Sequence, residues 1–391
     1  MTEVVSLLKD LVSIPSVNPM GREVEGPEYL ELGMVAYLEQ FFRNLGVPYY
    51  RQPGFDGREN IFARFENPQA RRTVLLDAHM DTVPVEGMII PPFQPTVEAG
   101  RLYGRGACDV KGGMAAMLAA FARIARERPA SATNIIMSCT FDEEFKAEGI
   151  LYLTKLWTTD KGSCPLIPGP PDVAIMAEPT ELDIVVAHRG ASRWKIRTKG
   201  VACHSSQPQN GVNAIYKMSP VLQGLERYAA ELSTLVKPHP LCGGATISVG
   251  RIEGGISVNT VPDECSIEID RRVVPGENGE QVIKDVEEYL RREVGGDFEF
   301  LPPWLTGLTL SDHNNHELVD GLMESIKQVV GERKKVGVPY GTNASRTSAV
   351  GVPSVVFGPG SILQAHTRDE WISIEQLEQA SEIYYRYCAG G

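Results

Sequence analysis

The sequence predicts an α/β protein: a mostly parallel sheet, covered by helices on both faces, with a smaller α+β domain inserted into it. Short apolar runs alternate with helical segments in the first half of the chain. The strand pattern changes near residue 186, and the first pattern returns near residue 303. At 391 residues, the chain is too long for one compact core, so two domains are expected.

The first half contains apolar runs that end in polar residues. They are the segments 73–81, 134–144 and 172–180. Their length and composition are typical of strands that are buried on both faces of a parallel sheet. Helices are predicted over 28–45, ending before Gly46, and over 112–127.

The middle of the chain has a different pattern. Alternating strands are predicted at 194–206, 245–255 and 264–276, and helices near 212–235 and 278–294. Half-exposed strands with helices indicate an antiparallel sheet covered on one face. Helices near 317–331 and 374–388, with an apolar run at 354–360, then resume the first pattern. We therefore assign residues 1–185 and 303–391 to a discontinuous domain and residues 186–302 to an inserted one.

Composition excludes several classes of partner. The net charge is −12 and no run of Lys or Arg occurs, which argues against nucleic acid. No segment approaches the roughly 20 apolar residues of a membrane span, and the N-terminus has the pattern of an amphipathic helix. Seven cysteines without a C-x-x-C pair argue against a disulfide framework, so a cytoplasmic location is expected.

Candidate metal ligands lie where the predicted strands end. They are His79 and Asp81, Glu143 and Glu144, and Glu178, with Asp109 in a Gly-rich loop and His366 after the run at 354–360. Each carboxylate alone could be a helix cap or a solvated residue. Because ligands bind at the carboxyl ends of parallel strands, these side chains can converge. His and carboxylate ligands suit two divalent ions that share a carboxylate, and Glu143 or Glu144 could serve as a general base.

These residues lie in stretches that resemble the M20 metallopeptidase family, which includes acetylornithine deacetylase, succinyl-diaminopimelate desuccinylase, aminoacylases and carboxypeptidases. The stretches are LLKDLVSIPSVNP, LLDAHMDTVP, YGRGACDVKGGMAA, FDEE, AEPT and GPGSILQAHTRDEW. They cover nearly the whole chain in the order of the family. The resemblance implies a zinc-exopeptidase-like catalytic domain, and it implies that the inserted domain mediates dimerisation.

The resemblance also implies a role for each metal ligand. His79 and Glu178 would bind one ion, Glu144 and His366 would bind the other, and Asp109 would bridge them. Zinc is the expected metal, with cobalt or manganese as alternatives.

The general base and its neighbours follow from the same motifs. Glu143 would be the general base and Asp81 would orient the imidazole of His79. The family further implies a cis peptide bond between Asp109 and Val110.

The inserted segment supplies further candidates through its resemblance to the family. The stretch 200–215 contains His204, which would stabilise the oxyanion in the partner subunit of a homodimer. Asn259 and Arg272 would bind a substrate carboxylate, with Arg271 as the competing choice on the opposite strand face.

The stretch 341–345, which begins with Gly341, resembles a loop that also binds this carboxylate, through its backbone amides and the Thr342 hydroxyl. Asn343 stands where related deacetylases usually carry Asp, which removes a negative charge expected near the substrate.

The predicted function is a two-metal amidohydrolase that removes an acetyl or succinyl group from a small N-acyl amino acid with a free carboxylate. The alternative is a carboxypeptidase or dipeptidase, and Glu rather than Asp at position 178 favours the deacylase and carboxypeptidase side of the family. A non-catalytic, ligand-binding member would be expected to lack a ligand or the base, whereas all of them are present here.

Overall fold

The computed structural model describes residues 2–390, which form two compact units. The first unit comprises the chain up to Val186, Asp312–Val336 and the chain from Thr342 onward. The second comprises Ala187–Ser311 and Gly337–Gly341. The predicted division into a discontinuous domain, 1–185 with 303–391, and an inserted domain, 186–302, stays a prediction.

The helices and strands are numbered in chain order. The helices are α1 Glu3–Ser13, α2 Leu32–Leu45, α3 Lys111–Glu127, α4 Glu148–Lys155, α5 Ala214–Leu235, α6 Gln281–Glu293, α7 His316–Val330, α8 Ala344–Ala349 and α9 Ile374–Ala389. The strands are β1 Tyr49–Pro53, β2 Glu59–Phe65, β3 Thr73–His79, β4 Thr96–Glu98, β5 Arg101–Tyr103, β6 Asn134–Thr140, β7 Val173–Met176, β8 Ile184–His188, β9 Gly190–Lys199, β10 Thr246–Gly254, β11 Glu264–Val273, β12 Glu299–Phe300, β13 Lys335–Val338, β14 Ser354–Val356 and β15 Trp371–Ser373.

An eight-stranded sheet forms the centre of the first unit, in the order β1-β2-β6-β3-β7-β14-β8-β13. Its middle strands β6, β3, β7 and β14 are parallel, whereas β2 and β8 join them antiparallel. Helices α2, α3, α4, α7 and α8 all contact strands of this sheet. The predicted α/β class with a mostly parallel central sheet is confirmed.

Helix α3 is buried because the sheet lies on one side of it and α1 and α9 lie on others. It approaches the sheet closely at Gly113, where a Cβ atom would lie 2.8 Å from the Cβ of Ala177. Glycine is needed there because any side chain would separate the helix from the strand ends.

Some predicted bounds were wrong. The helix predicted over 28–45 begins at Leu32, because Leu30 has a φ of 65° and its N–H donates to the carbonyl of Val17. The strands predicted over 73–81, 134–144 and 172–180 end at His79, Thr140 and Met176. The polar residues that follow them therefore lie in loops.

The second unit has a four-stranded antiparallel sheet in the order β10-β11-β9-β12. Apolar side chains of β9 and β11 pack against α5 and α6 to form its core. Helix α5 begins where Asn213 accepts the N–H of Tyr216 at 3.1 Å, an N-cap contact that sequence patterns favour. Strand β9 ends at Lys199, so residues 200–206 form a loop instead of the predicted strand end.

Among residues 2–390, no helix has the length and apolar character that crossing a membrane requires.

Candidate metal centre

Two groups of ligand atoms meet in the first unit, at the end of β3 and in the loops that follow β5, β6, β7 and β14. One group is His79, Asp109 and Glu178, and the other is Asp109, Glu144 and His366. Within each group, the candidate atoms all lie within 4.8 Å of one another. Asp109 belongs to both groups, so the five predicted metal ligands converge.

The first group is buried. The Nε2 atom of His79 lies 3.2 Å from Oδ1 of Asp109 and 4.0 Å from Oε1 of Glu178. His79 is the last residue of β3, and Glu178 follows β7, the neighbouring parallel strand. Parallel strands therefore bring these two side chains to the same edge of the sheet.

The second group is more open to solvent. The Nε2 atom of His366 lies 3.1 Å from Oδ2 of Asp109 and 3.2 Å from Oε2 of Glu144. The His366 side chain is 53% exposed, and its φ of 61° is a left-handed conformation in the loop that precedes β15. The peptide bond between Asp109 and Val110 is cis, as expected.

The carboxylates perturb one another strongly. Burial, reinforced by the charge of Asp109, raises the pKa of Glu144 to about 7 and that of Glu178 well above its ordinary value. Burial alone would raise the pKa of Asp109 too, but hydrogen bonds with His366 and His79 hold it below its usual range. Hydrogen bonds with Asp109 and Glu144 raise the pKa of His366 to about 10.

Buried acidic groups at this density are stable when they bind cations. The imidazole and carboxylate donors form two groups with one shared member, which fits two divalent ions.

Glu143 lies beside the centre but outside both ligand groups. Burial raises its pKa to about 8, with Glu144 among the carboxylates that raise it further. The Asp81 carboxylate accepts the backbone N–H groups of Glu143 and Glu144 at 3.0 and 3.1 Å. Asp81 therefore fixes the turn that carries both glutamates.

Asp81 also approaches His79. The Nδ1 atom of His79 lies 2.9 Å from the backbone oxygen of Asp81 and 3.6 Å from its carboxylate. The closest partner of the His79 ring is thus the backbone carbonyl of Asp81, whereas the sequence motif predicted that the Asp81 carboxylate orients this ring.

Sequence reasoning gave no role to several residues that support the centre. The amide of Asn18 donates to Asp81 at 2.8 Å and to Asp142 at 3.0 Å, and Arg58 pairs with Asp142 at 2.7 Å. The Glu370 carboxylate accepts the N–H of Asp109. Asn18 and Glu370 stand inside stretches that resemble the family, but their partners are distant in sequence, so no local pattern identifies them.

A further cation lies near the base. Burial lowers the pKa of Arg346, and the charges of Glu148 and Glu143 oppose that change. Arg346 lies in α8, directly after the stretch 341–345 that resembles the family. That position is the sequence feature that could have identified it.

The second unit holds four of the remaining candidates: His204, Asn259, Arg272 and Gly341. His204 is exposed, and its Nδ1 atom lies 2.7 Å from the hydroxyl of Ser206. The backbone N–H of Ser205 donates to the carbonyl of Asn259 at 3.0 Å, so these two loops are adjacent.

Arg271 and Arg272 have opposite environments on β11. The Arg271 side chain is 1% exposed and pairs with Glu277 at 2.6 Å. The Arg272 side chain is 34% exposed and pairs with Asp270 at 2.7 Å. Of the two, Arg272 is the one that presents its guanidinium group to solvent.

The stretch 341–345 passes from one unit to the other. Gly341 is exposed at the end of the second unit, whereas Thr342 is buried in the first and its hydroxyl accepts the N–H of Ala344 at 3.2 Å. Asn343 is 3% exposed and donates to Asp77 at 3.2 Å and to Thr140 at 3.3 Å. The Asn343 side chain therefore points into the interior of the first unit, and the expected loss of a negative charge near the substrate stays a prediction.

The fold and the ligand groups define a class of hydrolase with a dinuclear metal centre. The family model of peptidase family M20/M25/M40 matches residues 75–389, and the chain belongs to this family. The resemblance to M20 is thereby confirmed, and the protein is a metal-binding hydrolase.

Solved structures share this fold over the whole chain. An M20 family metallo-carboxypeptidase from Sulfolobus solfataricus is 20% identical, with 100% of this chain and 99% of that one covered and a TM-score of 0.74. Human carnosine dipeptidase 1 is 18% identical, with 99% and 96% covered and a TM-score of 0.72. The YXEP protein of Bacillus subtilis, described as a dinuclear metal binding peptidase from the M20 family, is 15% identical, with 99% and 96% covered and a TM-score of 0.70. At these identities, the likeness shows the shared fold.

Proposed function

We propose that this hydrolase removes an acetyl or succinyl group from a small N-acyl amino acid that carries a free carboxylate. The observation that carries the proposal is a partly buried carboxylate, Glu143, held beside two ligand groups that share Asp109. A carboxypeptidase or dipeptidase is the second candidate, since solved structures with this fold include a metallo-carboxypeptidase and a carnosine dipeptidase.

In this proposal, the five ligands hold two divalent ions, zinc first and cobalt or manganese as alternatives. His79 and Glu178 hold one, Glu144 and His366 hold the other, and Asp109 holds both. Bound metal supplies Lewis-acid polarisation of the scissile carbonyl and lowers the pKa of water.

Glu143 moves the proton. Its carboxylate accepts a proton from the attacking water and delivers it to the leaving nitrogen, so one residue serves as base and then as acid. A raised pKa suits the second task, because the carboxylic acid holds its proton until the amine leaves. Asp81 supports this role by fixing the backbone of Glu143.

Arg272 is our candidate for the substrate carboxylate. Its guanidinium is accessible, whereas that of Arg271 is committed to Glu277. A planar guanidinium can bind a carboxylate through two hydrogen bonds. Asn259, Gly341 and Thr342 complete the proposed binding set, and they stay predictions.

A homodimer formed through residues 186–302 is part of the proposal, with His204 acting on the oxyanion in the partner subunit. Exposed apolar side chains in the second unit, such as Tyr216, Ile252 and Val258, support an interface there. In a test of the partner role, His204→Ala and Glu143→Gln chains are mixed and allowed to exchange. Recovered activity supports the role in trans, and its absence in verified heterodimers contradicts it.

Activity is tested with a panel of N-acetyl and N-succinyl amino acids and of dipeptides. Wild-type protein is expected to release free amine from the acylated substrates. Dipeptide cleavage alone would support the second candidate instead, and no hydrolysis with metal bound would indicate a ligand-binding protein.

The Glu143→Gln variant should lose roughly 10²–10⁴-fold in kcat while binding the same number of metal ions. Glu148→Gln, five residues along the chain, is the matched control and should keep most of its activity. Full activity in Glu143→Gln would refute the role of this residue.

A further inference from the structure

Glu370 is a fully buried carboxylate four residues after His366. We propose that it is a positioning residue that fixes the loop of Asp109 so that both ligand groups can bind metal. This inference rests on the proposed ligand assignment and adds a residue that contacts no substrate.

The Glu370 carboxylate accepts three backbone donors from one loop. Its Oε2 atom accepts the N–H of Gly106 at 2.9 Å, and its Oε1 atom accepts those of Cys108 at 2.8 Å and Asp109 at 2.9 Å. The Nη1 atom of Arg105 lies 2.8 Å from Oε2. Both carboxylate oxygens are thus directed at the segment 105–109.

This arrangement requires an ionised carboxylate. Backbone N–H groups that converge in a tight loop form an anion-binding concavity, which is possible here because Gly106 has a φ of 81°. Charge-assisted hydrogen bonds to such a group are stronger than neutral ones. A neutral amide in its place would offer only one acceptor oxygen. Its NH₂ group would face the backbone N–H groups that the other carboxylate oxygen accepts, so donor would meet donor.

The contact links the two halves of the centre. Glu370 and His366 share one loop, while Asp109 shares the other with Gly106, and the strands that continue these loops, β15 and β5, are paired. The backbone of Glu370 also accepts the N–H of Gly104 at 3.1 Å. The Glu370 carboxylate therefore fixes the distance between His366 and Asp109 together with the pairing of β5 and β15, and a displacement of Asp109 would disturb both ligand groups.

The test measures zinc affinity on metal-stripped protein by competition with a chelating dye, together with unfolding midpoints. Glu370→Gln is expected to weaken zinc binding by roughly 10–100-fold, the usual effect of losing a residue that orients a ligand. Arg105→Gln removes the ion pair and keeps the three N–H bonds, so it should lower stability but change zinc affinity much less.

Glu277→Gln is the matched control. Glu277 also accepts one arginine and one backbone N–H, from Arg271 and Val274, and it lies in the second unit, whereas the five proposed ligands lie in the first. The control should lose stability with unchanged zinc affinity. Equal loss of affinity in the Glu277 and Glu370 variants, or wild-type affinity in a folded Glu370→Gln, would overturn the proposal.

If Glu370→Gln does not fold, Glu370→Asp takes its place, because it keeps the charge but cannot reach all three N–H groups. It should bind zinc with an affinity between those of wild type and of a ligand variant such as His366→Ala, and wild-type affinity would overturn the proposal. Failure of the proposed function is a separate outcome: wild-type protein would then bind two zinc ions but hydrolyse no amide, and the zinc measurements on Glu370 would still decide its role.

Discussion

The substitution Asn343→Asp introduces the residue that related deacetylases usually carry, and the structure predicts that it destabilises this protein. The Asn343 amide donates to the Asp77 carboxylate at 3.2 Å inside the first unit. An aspartate would replace this donor by a second buried carboxyl group. Two carboxylates at such a distance cannot both ionise, so one of them must hold a proton.

The cost has two parts. A buried hydrogen bond to a charged group contributes about 1.5–3 kcal/mol. Keeping a carboxyl protonated costs about 1.4 kcal/mol for each pH unit above its ordinary pKa. Burial already raises the pKa of Asp77 to about 6, and a second carboxyl raises it further. Near pH 7, about three pH units above the ordinary pKa of an aspartic acid, the second part is about 4 kcal/mol, so both parts together give a loss of roughly 6–7 kcal/mol at most and a fall of more than about 10 °C in the unfolding midpoint.

The sign of the pH dependence follows from linkage. The folded variant binds a proton that the unfolded chain has released, so its stability relative to wild type falls as the pH rises from about 5 to 8. Thermal unfolding at several pH values, with metal bound, measures this. The swap Asp77→Asn with Asn343→Asp restores one donor and one carboxylate and should recover part of the loss. An unchanged midpoint in Asn343→Asp would refute the orientation of the Asn343 side chain.

Two further predictions concern the arginine pair and metal removal. Arg271→Met should lower the free energy of unfolding by about 3–5 kcal/mol, because it leaves Glu277 unpaired. Arg272→Met should keep the free energy of unfolding within about 1 kcal/mol of wild type and raise KM about tenfold or more. Thermal and kinetic assays measure both variants, and a KM effect confined to Arg271→Met would reverse their roles. Chelation should lower the free energy of unfolding, by about 2.7 kcal/mol for each ion whose free concentration is 100 times its Kd, and the midpoint should fall with it. The stripped protein should lose further stability as the pH rises from about 5 towards 7 to 8, because over that range Glu144 and Glu143 hold protons in the folded protein that the unfolded chain has released. A midpoint unaffected by chelator in calorimetry would contradict a metal centre.

The sequence was sufficient to predict convergence of the metal ligands. His79 ends a parallel strand and Glu178 follows the neighbouring one, and the geometry of parallel sheets brings such positions together. The fold class followed from the same apolar runs, since buried strands and amphipathic helices have distinct periods.

Loop paths could not be predicted in this way. The partners of Asn18 and Glu370 depend on hydrogen bonds between residues far apart in the chain, which have no periodic signal. The partner of Asn343 could not be predicted either, because the turn before α8 directs its amide towards Asp77, which is distant in the chain. The beginning of α2 depended on Leu30, whose left-handed conformation is set by its hydrogen bond to Val17.

The most direct test of a dinuclear hydrolase combines metal content with activity. Protein stripped with chelator is given zinc, cobalt or manganese, and bound ions per chain are counted while the release of amine from N-acyl amino acids is measured. We predict two ions per chain and hydrolysis that appears only with metal. A folded protein that binds no metal and cleaves none of the substrates would contradict both the metal centre and the proposed activity.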